Sequence, residues 1–121
     1  MKQIYMRSWS VTFLTGDSGY VFTEKIRPGE VLFVLSCFAY APTRKASDDI
    51  IVGIRNGSGD FILAAEAPLE VQYGMQAGVG VYVGEGDQVF AYFPDADNGD
   101  AIAIHIMGVL MELKDFQKEL G

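Results

Sequence analysis

The chain is short of the residues on which most catalytic and metal chemistry depends, with one histidine and one cysteine among 121 residues. Catalytic triads, zinc sites and cupin-type metal sites use a histidine together with further ligands or partners. His105, flanked by Ile104 and Ile106, therefore reads as a packed residue or a polar point at a subunit contact. A pH-sensitive contact is the sharper alternative, since imidazole titrates near neutrality. The lone Cys37 excludes an intrachain disulfide. It sits in the apolar run Val31–Phe38 without a basic neighbour, which suits a buried small hydrophobe and not a reactive thiol.

Positive charge is scarce as well. Nine basic residues face sixteen acidic ones for a net charge of −7, and Arg44-Lys45 is the only adjacent basic pair. Such a molecule repels a phosphate backbone or an anionic lipid surface, so neither nucleic acid nor a membrane is expected as a partner. The N-terminal run Met1–Arg7 has no continuous apolar core of signal-peptide length and no segment approaches the span of a membrane helix, so synthesis in a reducing host cytoplasm is expected. Helical periodicity is missing too. Only the polar C-terminal tail, Lys114–Gly121, has helix-friendly composition, and it is too short to be stable alone.

What the chain does have is apolar residues, half of the total, cut into short runs by fourteen glycines and by proline and aspartate. The runs predict strands near Gln3–Met6, Ser10–Leu14, Tyr20–Ile26, Val31–Tyr40, Ile50–Arg55, Phe61–Ala65, Leu69–Tyr73, Val79–Val83, Gln88–Phe93 and Ala101–Leu113. Between them, residues 15–19 and 56–60 supply glycines for positive φ, Pro28-Gly29 favours a type II turn, and Asn98-Gly99 is a hairpin signal. Strands this short and regularly spaced predict an all-β fold, an antiparallel jelly-roll β-sandwich. With no repeat and no linker, residues 1–121 form a single domain of ordinary size.

The run Ala101–Leu113 is apolar on both faces, unlike a strand with one wet side. Either it is covered on both sides within the monomer, or its second face is buried by a neighbouring chain. A two-layer sandwich leaves each sheet an uncovered outer face, which favours the subunit contact. Ala103, His105, Met107, Val109 and Met111 are the candidate contact residues.

Other motifs resolve into turns. Asp95–Asp100 looks like part of a calcium loop, but its glycine falls one place early and the twelfth position is Ile106, so the EF-hand register fails. Gly-Asp pairs recur at 16–17, 59–60, 86–87 and 99–100, where aspartate can bond the amides of its own turn. Nothing selects a pair of glycosidase carboxylates or builds a phosphate cradle. Phe33, Phe38, Phe61, Phe90 and Tyr92 lie in apolar runs and read as core, whereas Tyr5, Trp9 and Tyr73 are freer to make contacts.

Two stretches carry a resemblance. Ile26-Arg27-Pro28-Gly29-Glu30-Val31-Leu32 continues through Val52–Gly57, and Val83-Gly84-Glu85-Gly86-Asp87-Gln88-Val89 leads to Asn98–Asp100 and Ile106–Leu110. Together they resemble the small jelly-roll virion proteins of tailed bacteriophages, notably capsid decoration proteins, and are similar to trimeric tumour-necrosis-factor-like heads. The resemblance implies a homotrimer on the virion surface whose other partner is the major capsid protein or another virion protein. The segment Met1–Trp9, with Gln3, Tyr5, Arg7 and Trp9, is the candidate capsid-docking arm by position. No enzymatic activity, cofactor or metal is expected. A carbohydrate- or receptor-binding head of a fibre or tail is the alternative, with aromatics clustered on a loop such as Tyr40–Asp48. A small cupin-like enzyme would call for more histidines than one.

Overall fold

A computed structural model describes residues 2–41, 49–66, 74–94 and 96–120. Among these, eight strands precede one helix: β1 (Lys2–Thr12), β2 (Tyr20–Phe22), β3 (Glu30–Tyr40), β4 (Ile50–Asn56), β5 (Gly59–Glu66), β6 (Gly74–Val83), β7 (Gln88–Tyr92), β8 (Ala101–Glu112) and α1 (Leu113–Leu120). They form two antiparallel sheets, ordered β1-β8-β3-β6 and β2-β7-β4-β5. This is a jelly roll: apart from the β4–β5 hairpin, successive strands cross between the sheets, so the inward rows of both meet in one core.

Alternation decides which residues reach that core. On β8, Ile102, Ile104 and Ile106 point inward and are fully buried. They pack with Leu32, Val34, Cys37 and Ala39 of β3, Val52 and Ile54 of β4, and Val89 and Ala91 of β7. Cys37 is a buried core residue, and burial pushes its thiol up to about 11. On β3 the alternation changes phase at a bulge between Val34 and Ser36 that leaves Leu35 without a partner on β8. One extra residue there lets Val34 and Cys37, three apart, both face inward.

Several expectations are corrected by tertiary context. The runs Gln3–Met6 and Ser10–Leu14 belong to one strand, because β8 is long enough to pair with every residue of β1. Its ladder carries the chain across the polar Arg7-Ser8 pair. The regular ladder of β2 stops at Phe22, short of the expected Ile26. There the Thr23 hydroxyl enters the ladder, accepting the Val89 N–H at 3.0 Å. Asn98-Gly99 does not close a hairpin. Only Gly99 has positive φ, which suits the second central position of an ordinary four-residue turn, and this turn carries the chain from β7 to β8 in the other sheet. The expected strand Leu69–Tyr73 lies outside the described residues.

Three of the Gly-Asp corners are the same device. In Leu14–Asp17, Gly84–Asp87 and Asp97–Asp100, the last residue's N–H donates to the first residue's carbonyl, and its carboxylate accepts the first residue's N–H at 2.8–2.9 Å. Each has a glycine with positive φ at the third position. The fourth corner differs, since Asp60 turns to Arg55 instead.

The C-terminal tail is a helix. Isolated, eight residues would not hold one, but α1 packs against β3 and β8, with Phe116 meeting Tyr82 at 4.7 Å between ring centroids. Leu113 N–H donates to Gly29 O at 2.8 Å, tying the helix start to the Pro28-Gly29 turn. Gly29, at φ 79°, takes the position that a type II turn reserves for glycine.

Candidate interaction surface

The outward face of the β1-β8-β3-β6 sheet is built from alternate residues of each strand. β1 contributes Lys2, Ile4, Met6, Ser8, Ser10 and Thr12; β8 contributes Ala101 to Met111 in steps of two; β3 contributes Val31, Phe33, Ser36, Phe38 and Tyr40. Beyond Lys2 at the end of the β1 row, none of these residues is Asp, Glu, Lys or Arg, in a molecule of net charge −7. At one end, α1 covers the face, and Val31 and Met111 are buried outside the central core. Elsewhere it is open: Ile4 is 84% exposed, Met6 69%, Met107 44% and Phe38 38%.

Within the monomer the outward side of β8 is covered at Met111 and at Ala103, and it is open around His105 and Met107. The structure spreads the five candidate contact residues along that division. Ala103, His105, Met107, Val109 and Met111 share the outward side, but only His105 and Met107 are well exposed, while Met111 is buried and Ala103 nearly so. His105 shares a hydrogen bond with Ser8 across the β1–β8 ladder, and its ring lies 5.9 Å from that of Phe38. Around this pair Met6, Arg7, Ser8, Ser36, Phe38, His105, Ile106 and Met107 line a shallow hollow of about 370 Å³, a mixed polar and apolar lining.

The candidate docking residues fare differently. Met1–Trp9 is not a free arm: from Lys2 onward it is an edge strand in unbroken register with β8. Gln3 and Arg7 are exposed, and Arg7 lies 3.7 Å from Glu24 and over the Tyr5 ring. Tyr5 is a buried core residue and Trp9 packs against the core, because odd positions of β1 face the opposite sheet. What sequence reasoning missed were the even positions, Ile4 and Met6. Their signal was present as the alternation continued through a polar-looking segment.

The second outer face, on the β2-β7-β4-β5 sheet, holds the aromatics that were expected in the core. Phe90 is buried, yet it faces outward between Tyr20 and Phe22, and its ring lies over Gly53. Tyr92 stacks on Tyr20 at 4.4 Å. Arg55 lies 4.9 Å from the Tyr20 ring and 4.7 Å from the Phe22 ring, and is held by Asp60 through two hydrogen bonds of 2.7 and 2.9 Å. Phe33 and Phe38 point outward on the first face, and Phe61 is exposed. In a two-layer sandwich an apolar run buries only every second residue between the sheets, so a run alone does not make each aromatic core. Tyr73 lies outside the described residues.

With this geometry established, the comparisons concern the fold. No family model and no curated protein matches the chain. Among solved structures, a chain in the acidic stable capsid of Helicobacter pylori bacteriophage KHP30 superposes with a TM-score of 0.60 at 14% identity, covering 93% of this chain and 98% of that one. The jelly roll is shared. A chain of the cyanophage Pam1 capsid asymmetric unit aligns at a TM-score of 0.48 and 15% identity, over 91% and 84% of the two chains. The Drosophila NLP core, described in terms of pentamer formation and histone binding, aligns at 0.48 and 15%, over 91% and 99%.

Proposed function

We propose that this chain is a structural virion protein, a homotrimeric capsid decoration protein that binds the capsid surface and stabilises it without chemistry. The observation that carries the reading is the open apolar patch around Ile4, Met6, Phe38 and Met107 on the outer face of the β1-β8-β3-β6 sheet of a jelly roll. An apolar face of this extent is a liability on a free monomer and is expected to be covered in the working assembly. The likeness to a whole chain of about the same length in the KHP30 capsid supports a virion setting. Decoration acts by mass action. Copies bound across subunit junctions raise the free energy of local opening, and trimerisation multiplies the attachment of each weak contact. The acidic remainder of the surface keeps a densely displayed protein soluble.

The alternative of a carbohydrate- or receptor-binding head calls for free aromatic faces. On the second outer face Tyr20 stacks on Phe22 and on Tyr92, and Arg55 lies over Tyr20 and Phe22, leaving little ring surface for a sugar. Residues 42–48 of the candidate loop lie outside the described residues.

Light scattering after size exclusion tests the assembly, with a native mass of about 40 kDa expected, three times the 13.2 kDa chain. Co-sedimentation with capsids of the virus that encodes the chain tests the docking. A stable monomer at micromolar concentration, or failure to sediment with capsids, overturns the reading.

A further inference from the structure

We infer that the self-contact is anchored by β1 and not by the β8 row alone: Ile4 and Met6 of one copy seat against the hollow at Ser8, Phe38, His105 and Met107 of a second copy. This rests on the reading that the chain self-assembles, and it names the surface and the occupant.

Exposure gives the first argument. Ile4 and Met6 are among the most exposed large apolar side chains of the described residues, at 84% and 69%. They stand on an edge strand, beside the hollow that Met6 lines together with Phe38 and Met107. Projecting apolar side chains and a partly apolar depression on the same face are the two halves of a packed contact, and interface energy concentrates where such a side chain fills a pocket.

Charge selects the occupant. Two molecules of net charge −7 repel wherever their acidic surfaces meet. The outward rows of β1, β8 and β3 contain no Asp, Glu, Lys or Arg from Ile4 to Thr12, from Ala101 to Met111 and from Val31 to Tyr40, and Lys2 at the end of the β1 row is the one exception in these rows. Here two copies can meet without desolvating a charged side chain of this face. Arg7 in the lining of the hollow already lies 3.7 Å from Glu24, so a strongly charged partner would find little to pair with, whereas the same apolar face on a second copy is a match. Ser8, Ser36 and His105 in the lining supply polar groups that fix the register.

Three paired strands of about ten residues cover roughly 500 Å² in projection, and the Met111 end of that area is already roofed by α1. The open part is smaller than the ~800 Å² that each partner buries in a standard interface, so the contact is expected to be a small one reinforced by several copies.

The test is native mass by light scattering on the wild-type chain, the Ile4→Asp/Met6→Asp double variant, and Phe61→Asp on the exposed edge of the other sheet. The expected result is an assembled wild type and an assembled Phe61→Asp protein. The double variant is expected at the 13.2 kDa monomer mass with an unchanged circular dichroism spectrum. An assembled wild type with an assembled, folded double variant overturns the β1 anchor and leaves self-assembly standing. A monomeric wild type overturns both. If the double variant loses its fold, Met107→Asp, on the same hollow, decides: a folded monomer supports the contact and an assembled protein overturns it. Dissociation of Phe61→Asp overturns confinement of the contact to this one face.

Discussion

On the β2-β7-β4-β5 sheet, the outward aromatics Tyr20, Phe22 and Phe90 lie beneath Arg55, whose guanidinium is held in place by Asp60. On the β1-β8-β3-β6 sheet, Ile4, Met6, Phe38 and Met107 stand without such a cover, and only the end near Met111 is roofed, by α1. Both faces are apolar, and the difference is whether the chain itself supplies the lid. Arginine can lie flat over rings while keeping its donors in water or on a carboxylate. The first face has no such residue at its outward positions. A face that the monomer covers is finished as a monomer, and a face that it leaves bare is suited to a partner.

The comparison can be broken most severely from inside. Ile104→Asp places a carboxylate in a site with no exposure, at a cost of several kcal/mol, on the order of the whole stability of a domain this size. Loss of the far-ultraviolet β signal and of cooperative melting is expected. Met107→Asp, three residues on and outward, is expected to leave both intact. A folded Ile104→Asp protein would show that the inward and outward faces are assigned the wrong way round.

Gly53→Ala comes next. A methyl group there would meet the Phe61 carbonyl oxygen and lie 2.7 Å from the Phe90 ring, so the ring must lift from the sheet. A loss of about 1–3 kcal/mol is expected, as for other overpacked sites, measurable by urea denaturation. An unchanged midpoint would mean that the lid over Phe90 is loosely held.

Arg55→Met keeps an apolar stem over the rings and removes the charge that Asp60 holds. A smaller fall in melting temperature than for Gly53→Ala is expected. Acid should have a related effect. Hydrogen bonding from Arg55 holds the Asp60 carboxyl below the usual aspartate range. The linked stability is therefore present above the unfolded aspartate value and is lost as pH falls through the lower folded value. A titration of tyrosine near-ultraviolet dichroism should show the lid loosening at that acidic edge in the wild type, with no such step in Arg55→Met.

The smallest effect is expected at Met6. Met6→Gln on an isolated chain should change stability by no more than about 0.5 kcal/mol, as for other exposed positions. Its consequence should appear only in assembly. A large loss of monomer stability would mean that Met6 supports the fold itself, and the contrast between the two faces would narrow.

Much of this was legible in the residue order, and the failures have physical causes. The two faces of Ala101–Leu113 separate by simple alternation, and the Gly-Asp corners at 16–17, 86–87 and 99–100 form turns because aspartate closes on its own backbone. The pair at 59–60 looks the same locally, but it lies within reach of Arg55 across the β4–β5 hairpin and is diverted. Tyr5 and Trp9 looked free because Met1–Trp9 reads as polar. Their partners on β8 lie about a hundred residues away, and that pairing turns odd positions inward. The contact candidates on β8 were picked by direction alone, so Met111 was included although a helix formed by the next eight residues covers it.

The sequence by itself determined the class of the fold, the turns and the two-residue rhythm of each strand, because these follow from φ preferences and from side chains that alternate along a strand. It also determined that the molecule would be acidic and poor in catalytic groups. Only the tertiary structure decided which rhythm faces in, where the bulge at Leu35 changes its phase, and which outer face receives a lid. Those outcomes depend on strands brought together from distant parts of the chain. A side chain's burial is set by what stands opposite it, and for Ile4, Met6 and Phe90 that neighbour is not written nearby.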